Sequence, residues 1–201
     1  MRVFGVAISG NCYKVRLALE QLKQPFEWVE VDMMAGGTHT PGFLAMNPNA
    51  KVPVLEIGPS KYLPESDAIL FYLAEGTPLL PADRFARAQV LQWMFFEQYS
   101  HEPYVAVARF ILKFLPQNHP RIAELPRLRE RGHQALAVMD QHLSGRKFFV
   151  ADSYSIADIA LYAYTHAAPD AGLDLTPYSA VRAWLQRVES TPGFVPMQGA
   201  A

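Results

Sequence analysis

Apolar and polar positions keep one rhythm over the first third of this chain and a different one after it. Near the start the apolar residues come in compact runs, and Arg2 to Ile8 predicts a first strand. Ser9-Gly10-Asn11 has the residues of a turn. Val15, Ala18, Leu19 and Leu22 then recur at helical spacing, which predicts a helix from about Cys12 to Lys23. Pro25 separates it from a second strand, Phe26 to Val31, and a β-α-β unit this short implies a parallel pair with a right-handed crossover. After a loop at Ala35 to Pro41 comes a short helical piece through Phe43, Leu44 and Met46. Val52, Val54, Leu55 and Ile57 read as a third strand. Pro53 interrupts it and donates no ladder hydrogen bond, so it must lie where the strand begins or where it faces open space. Gly58-Pro59-Ser60 turns the chain into a fourth strand, Lys61 to Leu63. Pro64-Glu65-Ser66-Asp67 then opens a helix through Ala74, with Ser66 at or near the cap.

Past Gly76 the pattern becomes wholly helical, so the division expected is a first domain over residues 1–75, a linker over 76–84 and an all-helical domain over 85–201. Phe85 to Leu115 is one long apolar-rich stretch with a kink or break expected at Pro103. Leu128, Gly132, Leu136, Met139 and Leu143 mark another helix. Tyr154-Ser155-Ile156-Ala157-Asp158-Ile159 is a start signal, with Ser155 as cap, Asp158 as the reciprocal acid, and Tyr154 and Ile159 as a staple. The helix it opens is apolar almost all round and should be the buried core of the second domain. Pro177 to Val188 gives a last helix, and the Pro192 to Ala201 tail is expected to be loose or irregularly docked.

Composition narrows the class. Of 201 residues half are hydrophobic, 18% are charged and the formal net charge is −1, a balance that argues for a soluble globular protein and against a nucleic-acid partner. The longest unbroken apolar run, Ala68 to Ala74, is far too short to span a bilayer. The apolar run after Arg2 ends at Ser9, too early for a secretory signal. A single cysteine excludes an internal disulfide, and six scattered histidines show no zinc-ligand spacing. A cytoplasmic protein with no metal and no membrane partner is expected.

Two features carry chemistry. A strand start interrupted by proline leaves backbone groups that can pair with an extended peptide. The helix start at Ser66 offers N–H groups and the positive end of a helix dipole to a carboxylate. With Glu65 beside them, they describe a site for a small peptide with a free amino-acid end.

At these residues a resemblance appears. Asn47-Pro48-Asn49-Ala50-Lys51-Val52-Pro53-Val54-Leu55, followed by Glu65-Ser66-Asp67-Ala68-Ile69, resembles the glutathione-binding half of the cytosolic glutathione transferases. The Ser155 to Asp158 box is similar to that of their helical domain, so the likeness spans nearly the whole chain. It implies an α/β thioredoxin-like N-terminal domain plus an all-α C-terminal domain, glutathione as co-substrate, and a homodimer. Val52 would pair its backbone with the cysteinyl unit, and Pro53 would be the family's cis-proline. Ser66 would hold the γ-glutamyl carboxylate and Glu65 the amino group, while Lys51 would face the glycyl carboxylate with Thr38 or His39 near it. The second substrate would be small and apolar, contacted from the Tyr99 to Phe110 segment.

The thiol of a peptide laid along Val52 would point at the junction of strand one and helix one. A free thiol with pKa ~8.5 is only about 3% ionised at neutral pH, and a fall of ~2 units would make roughly three quarters of it thiolate. Three donors compete for that task. Ser9 falls where serine-type (theta-like and delta-like) members carry their activating serine. Asn11 falls where the nu-like members with disulfide reductase activity carry asparagine, and Cys12 where beta-type bacterial members carry cysteine. Tyr13 is not at the tyrosine-class position. The resemblance therefore implies a serine/asparagine-type enzyme that conjugates glutathione to an electrophile or reduces disulfides or peroxides. A non-catalytic binding or regulatory protein of the same fold is the alternative.

Overall fold

The computed structural model describes residues 1–197. Its first unit spans Met1–Glu75 and takes back the segment from Pro192, and its second spans Gly76–Thr191. The first holds β1 (Arg2–Gly5), α1 (Gly10–Gln21), β2 (Glu27–Glu30), a 3-10 turn (Gly37–His39), α2 (Pro41–Met46), β3 (Val54–Gly58), β4 (Lys61–Pro64) and α3 (Ser66–Ala74). The strand order is β2-β1-β3-β4, with β1 and β2 parallel and β3 antiparallel to both β1 and β4. This is a thioredoxin-like sheet.

Alternation along the strands builds two apolar layers. Val3 and Leu55, paired across β1 and β3, pack with Val15, Leu19 and Ile69 from α1 and α3. Phe4 and Val54, the next pair, turn to the other face and meet Phe43 of α2.

β1 ends at Gly5, short of the Ile8 expected from its apolar run. The Ser9 N–H closes a turn on the Val6 carbonyl at 3.0 Å, and the Ala7 N–H goes to a Glu30 carboxylate oxygen at 3.2 Å, so Val6 to Ile8 leave the ladder. α1 starts at Gly10 because Ser9 caps it, and it stops before Lys23, whose φ of 53° is left-handed. Pro53 precedes β3, joined to Val52 by a cis peptide bond.

The second unit is helical: α4 (Arg84–Phe96), a π turn (Glu97–His101), α5 (Glu102–Phe114), α6 (Leu125–Leu143), α7 (Ile156–Thr165) and α8 (Ser179–Glu189), with 3-10 turns at Pro120–Glu124 and Ala168–Ala171. The break expected at Pro103 falls earlier, in the π turn. Pro103 itself sits in the first turn of α5, where no N–H is needed. Every residue of α7 is buried, and its reciprocal cap of Ser155 and Asp158 is present. α8 begins at Ser179 rather than Pro177, where Asp140 accepts from the Ala180 and Val181 N–H groups at 2.8 and 3.0 Å. The residues beyond Met197, part of the tail considered above, lie outside the described range.

Candidate active site

The first unit brings two helix starts together. Ser9 caps α1, its Oγ accepting from the Cys12 N–H at 3.4 Å while its own hydroxyl hydrogen stays available to donate. At α3 the cap position belongs to Glu65, without a side-chain cap bond, and Ser66 is the first helical residue. Glu65 is exposed and adopts φ 69° and ψ 112°, a conformation that costs a non-glycine residue ~1–3 kcal/mol and is retained at sites where geometry matters.

Asn11 joins the two starts. Ser66 Oγ donates to Asn11 Oδ1 at 3.3 Å. Beneath them lies Lys14, fully buried, whose Nζ donates to Ser66 Oγ at 3.4 Å and to Asp67 Oδ1 at 3.2 Å. Burial pushes the Asp67 carboxyl up, with Lys14 pulling against it and Glu65 adding to it. Lys14 and Asp67 escaped the sequence reading because a lysine in an amphipathic helix is ordinarily assigned to solvent. The signal that could have found them was position: Lys14 lies three residues from Asn11, on the same helix face.

Cys12 is also fully buried and accepts from the Val6 N–H at 3.4 Å. Burial pushes its thiol up to about 11, the Val6 and Ser9 hydrogen bonds working in the opposite sense. It packs as a small core residue, which makes it a poor nucleophile. The Tyr13 hydroxyl is engaged elsewhere, donating to the Val195 carbonyl at 2.7 Å.

Val52 lies just outside β3, beyond the register with β1 that ends at Phe4 and Val54. Lys51 is exposed, its carbonyl held by Asn47 Nδ2 at 2.8 Å. Thr38 is buried and His39 exposed, and no hydrogen bond among the described residues joins the side chains of Thr38, His39 or Lys51 to Ser9, Asn11 or Ser66. In the Tyr99 to Phe110 segment Tyr99 is exposed, whereas Val105 and Ala108 are core and Arg109 pairs with Asp170 at 3.1 Å. Only part of that segment presents a surface. No group of three or more His, Cys, Asp or Glu able to hold a metal occurs among the described residues.

A thioredoxin-like sheet with a serine-capped first helix, continued into a helical unit, defines a class of thiol-handling folds. Residues 3–80 match the N-terminal domain of glutathione S-transferases and residues 122–187 the C-terminal domain. The disulfide-bond oxidoreductase YfcG of Escherichia coli is 32% identical over 92% of this chain and 89% of its own. A glutathione S-transferase structure from Pseudomonas fluorescens superposes with a TM-score of 0.94 at 53% identity, covering 98% of each chain. A glutathione transferase from Pseudomonas putida, solved with one glutathione disulfide bound per subunit, has a TM-score of 0.83 at 28% identity over 96% of this chain and 87% of that one. The chain belongs to the glutathione S-transferase family.

Proposed function

We propose that the protein is a glutathione transferase of the serine/asparagine type, which binds glutathione in the first unit and activates it as thiolate. The observation that carries this reading is the joining of two helix starts through Asn11 and Ser66. The N–H groups that open α3 receive the γ-glutamyl carboxylate, and Glu65 accepts from the adjacent ammonium. The backbone of Val52, beyond the ladder, pairs with the cysteinyl unit, Pro53 holding it in place. Lys51 faces the glycyl carboxylate from its exposed position, Thr38 and His39 flanking that end. The sulfur then lies at the start of α1, where the Ser9 hydroxyl and the Asn11 amide donate to it and the helix dipole favours its charge. No general base is required, only donors aimed at sulfur.

The thiolate conjugates to a small apolar electrophile. A second outcome, exchange with a disulfide, is favoured by the name of the Escherichia coli relative and by the disulfide bound to the Pseudomonas putida one. With Cys12 buried and its thiol raised, that exchange runs through bound glutathione and not through a protein thiol. The protein works as a cytoplasmic homodimer in this reading. Phe85, Phe95 and Tyr99, exposed at helical spacing from α4 into the π turn, supply an apolar stripe suited to a second copy.

Retention on immobilised glutathione, followed by conjugation assays at pH 6.5 and 9, tests the reading. Ser9→Ala and Asn11→Ala should each lose far more rate at the lower pH, because at the higher one the thiol ionises unaided. Retention with no lowering of the bound thiol pKa would identify a binding protein instead.

A further inference from the structure

We propose that Glu30 is a positioning residue for the reaction: its carboxylate, oriented by the Trp28 indole, holds the Val6–Ser9 turn and so sets where the Ser9 hydroxyl stands against the glutathione sulfur. The inference rests on the proposed function, which places the sulfur at the start of α1, and gives two residues of β2 a part in activating the thiol.

Val6 to Ser9 form a β-turn closed by the Ser9 N–H on the Val6 carbonyl at 3.0 Å. Such a turn uses the N–H of its last residue and leaves that of its second, here Ala7, to find a partner outside it. β1 and β2 run parallel, and the Val31 N–H donates to the Gly5 carbonyl at 2.8 Å. In a parallel ladder the next rung would carry the Ala7 N–H to the Val31 carbonyl, and the chain would continue as strand. The Glu30 carboxylate takes that N–H instead, at 3.2 Å, so the chain turns at Ala7 and delivers Ser9 to the cap of α1. From the α1 side, Cys12 Sγ accepts the Val6 N–H at 3.4 Å. The turn that carries Ser9 is therefore held at two successive amides, by one side chain from α1 and one from β2.

An exposed glutamate ordinarily samples many rotamers, and Glu30 is exposed. Trp28 removes that freedom. Two residues apart on one strand, the two side chains share a face of the sheet, and the indole N–H donates to Glu30 Oε2 at 2.6 Å. The ring is itself fixed. It packs against the core of Val3, Val15 and Leu19, and lies so close to Gly5 that a Cβ there would meet Trp28 Cη2 at 2.8 Å. Each carboxylate oxygen thus serves one donor, Oε1 the Ala7 N–H and Oε2 the indole. A carboxamide in its place has one acceptor oxygen for the two. The charge of Glu30 alone would oppose ionisation of a nearby thiol, whereas its hold on the turn favours it. The two effects therefore move the thiol pKa in opposite directions when the residue is replaced.

Ultraviolet titration of enzyme-bound glutathione reads the difference, on the unaltered chain, Glu30→Ala, Glu30→Gln, Trp28→Phe/Glu30→Gln, and Ser9→Ala with and without Glu30→Ala. Affinity for S-methylglutathione, which has the charged ends of the tripeptide and no thiol, is measured in parallel. Glu30→Ala should raise the bound thiol pKa by about half to one pH unit and leave that affinity unchanged. Glu30→Gln should show part of the rise, its one acceptor oxygen shared between two donors. Trp28→Phe/Glu30→Gln, with the indole donor gone, should return the pKa to the unaltered value or below it, the turn being held and the charge absent. In the Ser9→Ala background Glu30→Ala should bring no further rise, since it acts through that hydroxyl. A fall or no change in Glu30→Ala, or a rise that persists without Ser9, overturns the inference and leaves the proposed function standing. An ordinary thiol pKa on the unaltered chain overturns the proposed function and this inference with it. If the Trp28 variant does not fold, the Ser9–Glu30 cycle still decides.

Discussion

Replacing Asp158 by alanine removes one acceptor shared by four donors. The carboxylate is fully buried and accepts from the Ser155 N–H at 3.0 Å, the Ser155 hydroxyl at 3.1 Å, the Phe149 N–H at 3.2 Å and the Trp184 indole N–H at 2.9 Å. As a helix cap alone, the residue would contribute roughly 0.5–2 kcal/mol. The structure raises that figure. The serine hydroxyl can rotate to another partner, but the two backbone N–H groups and the indole N–H cannot. At about 1–2 kcal/mol for each stranded donor, the expected loss is roughly 3–6 kcal/mol, against a total of about 5–15 kcal/mol for a typical domain. Urea unfolding at neutral pH, followed by tryptophan fluorescence, measures it as a fall in extrapolated stability at similar slope. A loss below about 2 kcal/mol would show that Asp158 is a cap and no more, and that Phe149 and Trp184 find other acceptors.

Burial pushes the same carboxyl up to about 6, hydrogen bonds from Trp184, Phe149 and Ser155 opposing it. The unfolded value is about 4, so across that interval the native state keeps a proton that the unfolded chain has released. The contribution of this ionisation to stability is thus complete below about pH 4 and lost by about pH 6, and a stability difference from Asp158→Asn that stays flat over the interval would refute the assignment. Cys12, buried and with its thiol raised to about 11, should react with iodoacetamide at mildly alkaline pH only as fast as the first unit opens; stoichiometric labelling within minutes in the native state would refute this. At Gly5 an added Cβ would stand 2.8 Å from Trp28 Cη2 and 3.2 Å from Cys12 Sγ, so Gly5→Ala should destabilise by about 1–3 kcal/mol, and an unchanged thermal midpoint would show that the ring moves aside freely.

What the residue pattern could show depended on how local its cause was. The order of strands and helices was legible because apolar periodicity is a property of neighbours. The ends of β1 and α1 were less so. Ile8 is as apolar as Val3, and only the Ser9 to Val6 turn, with the Glu30 carboxylate reaching in from β2, takes it out of the sheet. Ser155 and Asp158 were readable because both halves of the cap lie within three residues, but their link to Trp184 was not. The polar cluster of the first unit follows the same rule. Ser9, Asn11 and Ser66 carry recognisable positions, whereas Lys14 looks like any helical lysine until Asp67, 53 residues further on, is placed beside it. Glu65 is legible as a ligand residue, yet its positive φ of 69° at the start of α3 is not something composition encodes.

The return of the chain to the first unit at Pro192 has a consequence for biosynthesis. Tyr13 enters the growing polypeptide 182 residues before its hydroxyl partner, the Val195 carbonyl. Gly193 settles there too, where an added Cβ would sit 3.1 Å from the Gln21 Cα. A nascent chain can therefore form the sheet and seat α1 long before the cover over that helix exists, and the helical unit is made in the interval. The order of synthesis leaves one side of α1 open until the residues from Pro192 onward have been made. A protease that trims the chain after Thr191 would restore that unfinished state in the mature protein.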